Sequence, residues 1–184
     1  MPKVYFMIAH SGTLPADVVR FFTHKPYSHA CFSFDRALTK LYSFGRIYTR
    51  FFIPGGFITG GIGSDFYKHH PRTKICVLEA EITETQRAEV LSRLAPFEQN
   101  PRFYKYGFAN CVFQWLGRPV QRTRHFTCSQ FIAQIFDGIL PFSRPPSLVR
   151  PMDFCELNLP CIFTGTAEEY IHFLKKEATC YDKY

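Results

Sequence analysis

Residues Ser28 to Asp35 alternate in a strict two-residue register, and that pattern fixes a half-buried β-strand early in the chain. His29, Cys31, Ser33 and Asp35 project to one side; Ala30, Phe32 and Phe34 project to the other. Lys3 to Ala9 is a continuous apolar, β-prone run and reads as a buried strand beside it. Lys40 to Gly45 and Thr73 to Ile82 supply two further strands. Leu41, Ser43 and Gly45 then share one face, with Tyr42 and Phe44 on the other.

Helix signals fall between and after these runs. Thr13 caps a short helix with Pro15 in its first turn, and Pro26 ends it. Three pairs have capping-box spacing: Thr83 with Gln86, Thr127 with Gln130, and Thr166 with Glu169. The first opens a helix to about Pro96, the second a helix to near Gly138, the third a helix to about Glu177. Phe108 to Leu116 adds some helix. Pro141 to Pro151 reads as a Pro-rich connector. Phe51 to Gly63 holds five glycines without the Lys-Ser/Thr ending of a phosphate loop, and reads as a mobile surface loop able to cover a site. Strands mixed with helices make this an α+β chain. Its 184 residues suit one domain over 1–184, with a core at about 3–140 and a C-terminal helical extension at about 150–184.

Composition narrows the function classes. No stretch approaches the roughly 18 apolar residues of a membrane span. The N-terminal apolar run stops at His10-Ser11-Gly12 without a signal-peptide cleavage site, so a cytoplasmic location is expected. Seven Cys are scattered with no CxxC pair, which argues against a zinc ribbon, a redox dithiol motif or a disulfide framework. No metal or cofactor is expected. The net charge of +7 favours anionic partners, but the basic residues are spread out and form no nucleic-acid-reading module.

The chemistry concentrates at His125-Phe126-Thr127-Cys128-Ser129-Gln130. A Thr127 cap puts Cys128 at the first position of a helix, among unpaired N–H groups and the positive end of the dipole. A thiolate there is stabilised, and the Cys128 N–H can donate to an oxyanion. Arg122, Arg124 and His125 add positive charge upstream; with Arg118 they are equally consistent with a solvated face or with a hold on an anionic substrate group. A small buried residue at a helix start is an equally good account of Cys128 from this stretch alone. A nucleophilic thiol needs a base. Of seven His, His69 and His70 lie in a polar turn, and His24 and His172 in exposed-looking helix positions. His10 ends a strand. His29 opens a core strand among small and apolar residues, and is the sharper candidate.

The early Pro26-Tyr27-Ser28-His29-Ala30 and the late Phe126-Thr127-Cys128-Ser129-Gln130-Phe131 resemble the circularly permuted papain-like hydrolases of the NlpC type. YiiX-like bacterial proteins and lecithin–retinol acyltransferases belong to the same grouping. The resemblance spans roughly residues 3–140. It implies an antiparallel sheet with the cysteine helix packed against it, a cysteine-dependent amidase or peptidase working through an acyl-enzyme, and a third polar residue on the strand after the His. The matching position is Ser43, where many relatives carry a carboxylate or amide. A small peptide, amide or lipid ester is the implied substrate. Two alternatives remain open: a lipid hydrolase or acyltransferase of the lecithin–retinol type, against which Thr127-Cys128-Ser129-Gln130 replaces that group's Asn-Cys-Glu-His, and a non-catalytic binding domain on the same scaffold.

Overall fold

The computed structural model describes residues 1–10, 27–47 and 54–181. The helix expected over 13–26 lies outside them. Eight strands form one sheet in the order β7-β6-β4-β3-β2-β1-β5-β8. They are β1 (Lys3–His10), β2 (His29–Ser33), β3 (Leu41–Arg46), β4 (Gly55–Gly60), β5 (Lys74–Glu81), β6 (Lys105–Tyr106), β7 (His125–Phe126) and β8 (Cys161–Thr166). All neighbours run antiparallel except β6 and β7, which are parallel. The sheet is therefore mixed, where a purely antiparallel one was expected.

The helices among the described residues are α1 (Asp65–His69), α2 (Glu84–Gln99), α3 (Phe108–Trp115), α4 (Cys128–Ile135) and α5 (Ala167–Tyr181). Helices cover both faces of the sheet. On one face, Phe6, Ile8, Ala30, Phe32, Tyr42 and Phe44 meet α2 and α4. On the other, Met7, Cys31, Leu41, Ile75 and Val77 meet Tyr67 of α1 and Ala167 and Tyr170 of α5. The alternation read from the sequence holds in β2 and β3, because each strand is buried on both sides.

Two expectations change. The Gly-rich run is not a free loop: Gly55–Gly60 is strand β4, paired with β3 over its whole length. Its glycines serve close approach. A Cβ on Gly56 would stand 2.8 Å from the Tyr104 carbonyl oxygen, and one on Gly55 2.8 Å from the Tyr106 Cβ. Residues 51–53 of the run lie outside the described residues. The C-terminal part is also more than a helical extension. Before α5 comes β8, which continues the sheet beyond β5.

The aromatic content has a place. The Phe131 ring of α4 lies 4.9 Å from Phe97, 5.1 Å from Phe44, 5.6 Å from Phe57 and 6.1 Å from Phe32, centroid to centroid. Tilted and edge-on pairs of this kind add to the area each ring removes from water. This cluster ties the cysteine helix to β2, β3, β4 and α2. Phe131→Ala should lower unfolding stability by about 3–5 kcal/mol. Urea denaturation read by circular dichroism checks it; a loss under about 1 kcal/mol would mean that α4 is held by other contacts.

Candidate active site

The start of α4 is held from three sides. The Thr127 hydroxyl accepts from the Gln130 N–H at 3.2 Å, as its spacing predicts. Gln130 does not complete the box. Its side-chain oxygen instead accepts from Asn110 Nδ2 of α3 at 2.9 Å. Asn110 Oδ1 and Gln130 Nε2 are left buried without a partner. Gln114 Nε2 donates to Thr127 Oγ1 at 2.9 Å and to the Val149 carbonyl at 3.2 Å, and Ser129 Oγ donates to the same carbonyl at 2.6 Å. The Pro-rich stretch around Val149 is thus a brace on the cysteine helix rather than a bare connector.

Cys128 is 3% exposed. Three N–H groups are directed at its sulfur: that of Ala30, that of Ser129 and its own. Each favours a thiolate, yet burial outweighs them and pushes the thiol up to about 11. The upstream cations contribute nothing resolvable here. Arg118, Arg122 and Arg124 are exposed. Arg124 stacks over the Phe103 ring at 4.0 Å. The lowered Cys128 expected from the helix start is therefore corrected: desolvation wins over dipole and charge.

His29 opens β2 and is partly buried. Its Nε2 lies 3.3 Å from Ser43 Oγ. Ser43 Oγ also lies 2.6 Å from the Ala30 carbonyl oxygen, to which it donates. A hydroxyl has one proton, so with that proton on Ala30 the Ser43 oxygen accepts from His29 Nε2–H. This assigns the Nε2–H tautomer to neutral His29 and leaves Nδ1 as the basic nitrogen. Burial, with a smaller contribution from the Arg46 charge, lowers His29 to about 4. A Cβ on Gly45 would stand 2.9 Å from Ile58 Cδ1 and 3.6 Å from His29 Cε1, so the glycine accommodates Ile58 while the His29 ring sits at ordinary contact distance.

These groups meet at one residue, Ala30. The paired register between β2 and β3 reduces to Phe32 opposite Tyr42, whereas β1 and β2 pair at five positions. The ladder opens at Ala30. Its N–H and C=O point to the same side, toward β3. Cys128 takes the N–H and Ser43 takes the C=O. His29 and Ser43 are brought together as the sequence implies. His29 and Cys128 are not hydrogen-bonded to each other. By strand alternation His29 sits on the Cys31 face, and α4 packs on the opposite one. Cys128, at the helix start, is near enough to Cys31 of the His29 face to add to the burial that raises the Cys31 thiol.

Arg46 was not singled out by the sequence. It ends β3, lies 5.4 Å over the Phe66 ring, and its charge reaches His29. Its position one residue past Gly45 on the strand facing His29 was the available signal. His10, the other strand-end histidine, is buried, with Nδ1 3.3 Å from Ser28 Oγ. The surface hollow at His69, His70, Pro71, Arg72 and Thr73 is lined by none of the site residues. Among the described residues no group of three or more His, Cys, Asp or Glu side chains is arranged to hold a metal ion, and no helix is long and apolar enough to cross a membrane.

No family model matches this chain, and no match is found among curated proteins or solved structures.

Burial also predicts an order of thiol reactivity. Cys155 and Cys161 are exposed, and Cys128 is buried. Iodoacetamide at neutral pH should therefore modify Cys155 and Cys161 before Cys128, at least about ten-fold faster. Peptide mapping against time checks it. Cys128 labelling first would show that its thiol is more accessible and more ionised than this structure has it.

Proposed function

We propose that this protein is a cysteine-dependent hydrolase of the amidase or peptidase kind, on a permuted papain-like scaffold, with Cys128 as nucleophile and His29 as base. The observation that carries the reading is the shared residue Ala30, whose N–H and C=O serve Cys128 and Ser43. It connects a helix-start thiol to a His–Ser pair on one short path. The resemblance of the two motifs, in their His-before-Cys order, supports the same assignment.

The resting groups are both neutral, a thiol pushed up to about 11 and an imidazole lowered to about 4. A preformed ion pair does not fit those directions. General-base catalysis does. His29 Nδ1 takes the thiol proton as sulfur attacks the carbonyl carbon of an amide or ester. The N–H groups at the start of α4 donate to the oxyanion. His29 returns the proton to the leaving group, and a thioester remains on Cys128. His29 then takes a proton from water, which hydrolyses the thioester. Ser43 accepts from Nε2–H throughout, and so fixes the ring's orientation and tautomer. As a neutral acceptor it stabilises the imidazolium less than a carboxylate would.

A second reading has its own support. Cys128 is buried, and no hydrogen bond joins it to His29. Those features suit a binding domain without turnover. Hydrolysis of a panel of p-nitrophenyl and peptide thioesters separates the two.

The hydrolase reading predicts kcat/KM flat between about pH 5 and pH 9, because a base near 4 and a thiol near 11 both hold their working forms across that window. Cys128→Ala should abolish turnover. Ser43→Ala should lower kcat about ten-fold or less, with KM unchanged, since it acts through His29. An acid limb near pH 6.5 would place His29 in water rather than in its buried setting. Turnover undiminished in Cys128→Ala would remove the hydrolase reading. The same histidine carries a stability consequence. Its folded-state value lies below its unfolded value, so the unfolded chain binds the extra proton between about pH 6.5 and 4. Its contribution is full above that window and is lost as pH falls through it.

A further inference from the structure

Away from Cys128, three cysteines from separate parts of the chain meet. Cys76 lies within β5, Cys161 opens β8, and Cys155 lies in the short 3-10 helix Pro151–Glu156. The sulfurs of Cys76 and Cys161 are 3.6 Å apart. The strand register explains the approach. Cys76 stands opposite Thr164, and a bulge between Val77 and Leu78 shifts the pairing so that Leu78 stands opposite Cys161. Cys155 is the thiol to which Cys76 is most strongly coupled electrostatically, which puts it beside the same pair. That coupling holds the Cys155 thiol below its ordinary value and, with burial, drives Cys76 far above it. Cys155 and Cys161 are exposed and Cys76 is buried between them.

We propose that Cys76, Cys155 and Cys161 form an oxidation site at which a hydroperoxide is reduced by Cys155 and the oxidised sulfur is captured by Cys76 as a disulfide. The Cys155 thiolate attacks one peroxide oxygen and the O–O bond breaks. The departing alkoxide takes the proton that Cys155 gave up, leaving as an alcohol, and Cys155 carries S–OH. The Cys76 sulfur attacks that sulfur, the S–O bond breaks, and hydroxide leaves with the Cys76 proton as water. Two thiols lose two electrons and two protons; the hydroperoxide becomes an alcohol and water. Cys161 lies 3.6 Å from Cys76 and is placed to displace Cys155 by thiol–disulfide exchange. Closing the Cys76–Cys161 bond needs sulfurs at about 2 Å, a side-chain movement rather than a strand movement from 3.6 Å. Tyr27, two residues before His29, feels the charge of all three cysteines, so the site borders the chain entering β2. The proposal does not rest on Cys128 being a nucleophile.

The test treats the full-length protein with hydrogen peroxide and maps the thiols by mass spectrometry under non-reducing conditions. The expected result is loss of two free thiols per chain, a mass fall of about 2 Da, and a disulfide-linked peptide containing Cys76 with Cys155 or Cys161. Cys155→Ser, an exposed substitution, should slow Cys76 oxidation about ten-fold. In Cys76→Ser, dimedone should mark Cys155 as a trapped sulfenic acid. Circular dichroism checks that both variants fold; if Cys76→Ser does not, the Cys155→Ser rate decides. Cys76 remaining reduced after Cys155 is oxidised, disulfides that join two chains instead, or an unchanged Cys76 rate in Cys155→Ser would each overturn the proposal.

Discussion

The site depends on a gap in a β-ladder. A strand residue such as Ala30 ordinarily exchanges its N–H and C=O with the neighbouring strand. Here the neighbour has drawn away, and those two groups must find other partners or remain buried and unpaired. The Cys128 sulfur and the Ser43 hydroxyl fill the two places. One missing backbone pair therefore sets where α4 begins, which proton Ser43 uses, and which His29 nitrogen is left basic.

The opening is held by structure on every side of it. Phe131 and the rings around it press α4 onto the sheet. Gln114 and Ser129 fasten the start of α4 to the Val149 carbonyl. Arg150 donates to the Gln114 carbonyl and takes a backbone link to Asp153, which also faces Arg144 at 3.4 Å. These partners come from residues far apart in the chain. Their combined effect is positional: they fix the start of α4, and with it the Cys128 sulfur, against the sheet. Burial is the opposing effect. It keeps both thiol and imidazole neutral, and it requires some movement before a substrate can reach a sulfur 3% exposed.

Much of this was legible locally. Alternation in β3 grouped Leu41, Ser43 and Gly45 on one face, and the resemblance of the motifs pointed to Ser43 as the residue beside His29. The caps at Thr83, Thr127 and Thr166 marked helix starts, since an N-cap hydroxyl acts on its own next turn. What failed was non-local. The glycines of β4 looked like loop residues because their reason is the approach of Tyr104 and Tyr106, about fifty residues on. Strands β6 and β7 have two residues each, too short for any periodic signal. Cys128 looked ionisable because the helix dipole is a local feature, while the burial that overrides it comes from the whole fold. The meeting of Cys76, Cys155 and Cys161 depends on strand pairing and a bulge that no spacing in the chain reveals.

The central claim is that the Cys128 sulfur and His29 act together on an acyl carbon. The most direct measurement is intact-protein and peptide mass spectrometry after brief exposure to an activated acyl ester, with parent and His29→Ala proteins run side by side. The account predicts an acyl adduct on Cys128 in the parent, and formation slowed by roughly 10²–10⁴-fold in His29→Ala. Acylation confined to the exposed Cys155 and Cys161, or an adduct on Cys128 that forms at the same rate without His29, would contradict it.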